Sequence, residues 1–164
     1  MTTYSRSKGE DGSVLVLALI LLVLLTMLGI AATMTTEIET RIAGNENAYK
    51  KNLYRAEGAA MTGVQMLEDV TDASSLKNLT PVWLHSTLPG SDINSDINWN
   101  PTNNNSIQAL DATHRYLAVY QGIAPGGSLD IGGSPTSLHQ FTVYGRSGRD
   151  SGASIVEVGF KKRF

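Results

Sequence analysis

A polar leader, Met1 to Gly12, runs straight into an apolar stretch that begins at Ser13 and lasts to about Met34. That junction limits what the chain can fold into more than any other feature. From Val14 to Met34 there is no charge, and the only polar side chains are Thr26 and Thr33. As a helix, this run rises about 30 Å, the thickness of a bilayer's hydrocarbon core. A secretory signal core is shorter, about 7–15 residues, and leads to a small-residue cleavage site. Here the run is longer and passes directly into a periodic helical pattern. An ordinary single-pass anchor is the plain alternative. A buried core helix fits less well, because no amphipathic face can be drawn through Val14–Leu25. Arg6 and Lys8 precede the span and Arg41 is the first positive charge after it. The positive-inside rule then favours a cytoplasmic N-terminus and an external C-terminus.

After the span, Ile38, Ile42, Tyr49, Leu53, Ala56, Ala60, Val64 and Leu67 recur at helical spacing. Charges take the other faces, and pairs such as Glu37 with Arg41 and Glu46 with Lys50 lie four residues apart. No proline occurs before Pro81. One helix is therefore expected from about Val14 to Asp69. Gly29 and Gly44-Asn45 are its weak places, since glycine in a helix interior costs about 1 kcal/mol relative to alanine. A break at Gly44 is the alternative.

From Thr71 to Ser137 the pattern breaks into short pieces punctuated by Pro81, Pro89-Gly90, Pro101, Pro125-Gly126-Gly127 and Gly132-Gly133-Ser134-Pro135. Within and beyond this stretch, Arg115–Gln121, Leu138–Arg146 and Ala153–Phe160 alternate as strands, with Gly148–Gly152 read as a connecting loop. Three such runs predict a small antiparallel sheet. The helical stripe from Tyr49 through Leu67 is the obvious cover for one face, which makes the fold class α+β. The expected organisation is a leader 1–12, a transmembrane helix 13–35, its amphipathic continuation 36–70, and a β-rich head 71–164 with an irregular region 71–113.

Two segments carry a family resemblance. The first is Gly12-Ser13 with the apolar run behind it, GSVLVLALILLVLLTMLGIAA. The second is TEIETRIAGNENAYKKNLYRAEGAAMTGV, Thr36 to Val64, which contains Arg41-Ile42-Ala43-Gly44-Asn45 and Ala56-Glu57-Gly58-Ala59-Ala60. On these residues the chain resembles the type IV pilins, and more narrowly the PilX-like minor pilins. The resemblance covers about a third of the chain, and the C-terminal hundred residues carry no recognisable motif. It implies that a prepilin peptidase cuts after Gly12 and that the new amine of Ser13 is methylated. It also implies that the apolar helix holds the subunit in the inner membrane and then moves into the core of a filament. The motif residues of the helix are Arg41, Ala43, Gly44, Asn45, Ala56, Glu57 and Ala60. The implied partners are other minor and major pilins, a tip adhesin, the prepilin peptidase and the inner membrane.

The chain departs from the pilin pattern twice. Major pilins carry a glutamate at the fifth mature position, where it neutralises a neighbouring subunit's terminal amine; here that position is Leu17. The tip pseudopilins of type II secretion are similar in lacking it, so a rare subunit at or near a tip is favoured over a shaft subunit. The second departure is Glu10-Asp11 before the cut, where such leaders are usually basic.

Catalysis and ligand binding find little support. With no cysteine in the chain, thiol chemistry and disulfides are excluded. The formal net charge is −2 and the lysines and arginines are scattered, so no direct nucleic-acid partner is expected. Asp92, Asn94 and Asp96 start a calcium-loop pattern, but Ile97 and Asn103 stand where an EF-hand needs Gly and Glu. A polar surface loop is the better reading, with calcium as a weak alternative. Gly145-Arg146-Ser147-Gly148-Arg149 misses the GxSxG elbow by its last residue, and His85, His114 and His139 stand alone. The protein is read as not an enzyme, with no cofactor. Lys161-Lys162-Arg163 is taken as a solvated end. Trp83 and Trp99 are assigned neither to the core nor to a recognition surface, and Tyr120 is assigned to the core. A minor pilin that initiates or caps a type IV pilus is the expected function. The alternatives are a secretion pseudopilin, which usually has a larger helical insert, and an uncleaved envelope protein with a binding head.

Overall fold

The computed structural model describes residues 10–71, 73–79, 81–125, 137–149 and 152–163, the side chains of 10, 11, 73, 77 and 149 excepted. The leader before Glu10 and the Gly/Pro signals at 126–135 lie outside the described residues. Two compact units share the chain, 1–46 and 47–164.

Helix α1 spans Glu10–Asp69 without interruption, so neither Gly29 nor Gly44 breaks it. In the first unit it carries the apolar run. Thr26 and Thr33 donate their hydroxyls to the carbonyls of Val23 and Ile30, each at 2.8 Å, so the two polar groups of the run are satisfied within the helix itself.

The second unit is an α+β head. Five strands follow α1 and the short helix α2 (Ala73–Lys77): β1 (Leu84–His85), β2 (Ile107–Gln108), β3 (His114–Ile123), β4 (Leu138–Arg149) and β5 (Gly152–Arg163). The strands β3, β4 and β5 form the antiparallel meander that the alternating runs predict, and β5 is paired with β4 along its whole length. Gly148 pairs with Ala153 and Arg149 with Gly152, so the strands extend through most of the segment expected as a loop. Two short strands share the other edge of β3. There β2 pairs antiparallel at Arg115 and Tyr116, and β1 pairs parallel at Ala118 and Val119. The sheet is therefore mixed, since β1 alone of these strands runs parallel to its neighbour.

Both faces of the sheet are covered. Helix α1 lies on one, where Leu67, Leu76, Trp83, Leu84, Tyr116, Phe141 and Val143 are buried together. Each large side chain so removed from water contributes about 1.5–3 kcal/mol. On the other face the irregular region folds back and lays Trp99 against Leu117 and Val119, flanked by Leu88, Ile93, Tyr144 and Ile155. A short helix, α3 (Asp96–Trp99), presents that tryptophan.

The helix docks on a line turned from the expected stripe, sharing Ala56, Ala60 and Leu67 with it and leaving Tyr49 outside. Tyr49 is 62% exposed, and the buried positions are Asn52, Ala56, Ala59, Ala60, Gly63 and Leu67. The reason is the closeness of the approach. A Cβ added to Gly145 of β4 would stand 2.1 Å from the Ala56 carbonyl oxygen and 2.4 Å from the Ala60 nitrogen. A Cβ does exist at most helix positions, so only small residues can face β4 at this separation. At Gly63 an added Cβ would meet Val143 and Tyr116 within 2.8 Å.

Candidate functional site

The candidate site is the N-terminal helix itself, because its residues are the ones that carry a recognisable pattern. In the first unit every large apolar side chain from Val14 to Ile42 is more than two-fifths exposed, Leu17 at 60%. No charged side chain lies between Asp11 and Glu37. The helix is long and apolar enough to cross a membrane. Water would not tolerate such a surface, whereas lipid or a bundle of like helices covers it without exposing any backbone polar group. The charge-free run ends at Glu37, whose carboxylate lies 2.6 Å from the Arg41 guanidinium one turn on. That pair is exposed and contributes only a few tenths of a kcal/mol.

The motif residues divide between the two units. Arg41, Ala43, Gly44 and Asn45 are exposed in the first unit, and nothing lies within 4 Å of a Cβ added at Gly44. Ala56 and Ala60, by contrast, are fully buried against Gly145 in the head. Glu57 is exposed on the outer face of the helix. Gly12 and Ser13 fall within α1.

Residues 11–60 match the family described as PilX N-terminal. Over this segment the chain is similar to the PilX-like pilins. The match covers the apolar run and the motif segment together, and it ends where α1 is seated on β4. No match was found among curated proteins or solved structures.

The other residues singled out in the sequence have structural roles in the head. Asp92 accepts from both the backbone and side-chain nitrogens of Asn94, at 3.1 and 3.3 Å, which closes a local turn. The Asp96 carboxylate is instead 3.8 Å from Arg146 and almost fully exposed. Among the described residues no three His, Asp or Glu side chains are grouped to share a cation. What organises this loop is Asn98, which is fully buried. Its oxygen accepts from the Gly90 N–H at 2.7 Å and its amide donates to the Asp92 carbonyl at 2.8 Å, while the Trp99 indole donates to the Ile93 carbonyl at 2.6 Å.

The three histidines sit apart. His85 Nε2 lies 2.8 Å from the Asn105 carbonyl, and since a carbonyl only accepts, that nitrogen carries the proton. His139 Nδ1 is 2.8 Å from the Tyr120 hydroxyl. The buried His114 has Nδ1 2.6 Å from Asp111. Asp111 also accepts from the Thr113 hydroxyl and backbone N–H, at 2.6 and 2.8 Å. These bonds, the hydroxyl first, hold the Asp111 carboxyl down at about 2. Both tryptophans are core residues, one on each face of the sheet. Lys162 is not a free end: its ammonium donates to the carbonyls of Leu67, Glu68 and Val70 at 2.9, 2.5 and 2.6 Å. Sequence periodicity carries no signal for that contact, because its partners are backbone atoms far away in the chain.

Proposed function

We propose that this protein is a minor pilin that helps initiate or cap a type IV pilus and so supports adhesion, motility or DNA uptake. The observation that carries the reading is the PilX N-terminal match over residues 11–60, a helical segment whose apolar part, 12–36, is exposed and free of charge. In this reading residues 1–12 are a leader removed after Gly12, and the amine of Ser13 is then methylated. Residues 13–35 hold the subunit in the inner membrane, with residues 71–164 in the periplasm. On assembly the same apolar surface exchanges lipid for neighbouring pilin helices, a transfer that never exposes it to water.

Leu17 argues for the place in the filament. A terminal amine buried among apolar helices without a counter-ion is costly, by several kcal/mol, so a subunit with leucine here is poorly suited to sit beneath another. A position at or near the tip removes that demand. The partners are accordingly other minor and major pilins and a tip adhesin, with the prepilin peptidase acting first.

Intact mass and N-terminal sequencing of the membrane protein, from cells with and without a prepilin peptidase, test the proposal. The expected product begins at N-methylated Ser13 only when the peptidase is present. A chain beginning at Met1 in cells where a known pilin is cut would overturn it. Loss of pili on deletion, with secretion intact, separates the pilus role from a secretion pseudopilus.

A further inference from the structure

Within the head, α1 is fastened to the C-terminal hairpin β4–β5 at three places. At one end Asn52 donates to the Gly152 carbonyl and accepts from the Ser147 hydroxyl, both at 3.3 Å. In the middle the backbone of Gly145 lies in the turn between Ala56 and Ala60, with no room for a side chain. At the other end Lys162 places its ammonium on three carbonyls at and just beyond the last turn of α1. Those carbonyls have no partner further along the helix, and they form the negative end of its dipole. An ammonium can spread its three donors over carbonyls that do not share a plane; a guanidinium confines its donors to one plane.

The order of these contacts sets a direction. Asn52 meets the start of β5 and Lys162 stands at its end, so α1 and β5 run the same way. A pull along α1 toward its N-terminus therefore loads the Asn52, Gly145 and Lys162 contacts together, in shear. Around Gly145 the helix offers chiefly alanine and glycine to β4, a small apolar area that resists sliding weakly by burial alone. Resistance there then falls to the steric lock at Gly145, with the polar contacts at the two ends and the packing of Leu67 beyond it.

We propose that this joint carries tension: a pull on α1 enters the head through the β4–β5 hairpin, and Lys162 is its latch. The pilin reading supplies only the source of the tension; the joint itself stands on contacts within the head.

The absence of native cysteine allows the full-length chain to be tethered at chosen points in detergent and pulled as single molecules. Handles at Tyr49→Cys and Arg163→Cys load the joint in shear. Handles at Tyr49→Cys and Ala153→Cys peel it open from the Asn52 end. At a fixed force, Lys162→Met is expected to shorten the bound lifetime about tenfold or more in shear, the scale of losing charge-assisted hydrogen bonds. In the peeling geometry, where the latch is loaded last, the first rupture should be unchanged. Lys162→Arg should fall between wild type and Lys162→Met in shear, and it serves alone if the methionine variant does not fold. Equal shortening in both geometries would reduce Lys162 to ordinary stabilisation, and no change in shear would remove it as a latch; either result overturns the proposal. Because no filament is needed, a chain found uncut at Gly12 would refute the pilin reading and leave this result standing.

Discussion

A methyl group at Gly145 would have to occupy space already held by the Ala56 carbonyl and the Ala60 amide, both backbone atoms that cannot turn aside. Gly145→Ala is therefore expected to push α1 off the sheet and cost about 3 kcal/mol, at the upper end for overpacking a core. Urea unfolding of the variant against wild type measures it, and a cost below about 0.5 kcal/mol would show that the helix sits further away. Asp111 makes a prediction of another kind. Its carboxyl titrates at about 2 in the fold, against an ordinary value of 3.8, so the ionised form is the one the fold favours. A depressed value means that the stabilisation is complete above the ordinary value and is lost as pH falls through the folded one. The advantage of wild type over Asp111→Asn in thermal midpoint should be constant from neutral pH down to about pH 5 and shrink between about 4 and 2. An advantage that stayed constant down to pH 2 would dissociate Asp111 from the turn that begins β3.

Among the elements, α1 and the loop bearing α3 compete for nothing, because they take opposite faces of one sheet. That arrangement gives each face its own tryptophan and its own small core. Trp83 meets the ring of Tyr116 edge-on at 5.5 Å on the helix side, whereas Trp99 lies beneath the Arg146 guanidinium on the loop side. Trp99→Ala should cost about 3–5 kcal/mol, as for other large aromatic truncations in a core. Hydrogen exchange locates the damage: amides of residues 86–113 should lose protection first, while those of β4 and β5, held by the hairpin ladder and α1, should keep theirs. Uniform loss over the whole head would mean that the loop and the sheet unfold as one unit.

For the molecule as a whole, the proposed place in a filament turns on one position in the apolar helix. Leu17 stands where the resemblance to major pilins expects a glutamate. If the missing counter-ion keeps this subunit near a tip, Leu17→Glu should raise its abundance relative to the major pilin in sheared filaments, several-fold or more. Quantitative mass spectrometry of those filaments reads the ratio directly. An unchanged ratio would place the limit on incorporation in the head or in expression level instead of at Leu17.

Much of this protein is legible without a structure, and the physical reason is locality. An uncharged run long enough for a bilayer, a helical period unbroken by proline, and three alternating segments each state their conformation within a few neighbouring residues. The α+β class, the long helix, the meander and the PilX-like N-terminus all follow from such local patterns. Other features depend on residues brought together from far along the chain. The helix docks on alanines because Gly145, some ninety residues later, has no side chain there. The parallel strand β1 forms because β2 leaves part of the β3 edge open, and Trp99 becomes core only once its loop crosses the sheet. Lys162 reads as a solvated charge in a basic tail, and becomes a cap when the last strand brings it to the open carbonyls at the end of α1. Periodicity records which face of an element is buried against something, but the partner that sets how close it comes is decided by the tertiary fold alone.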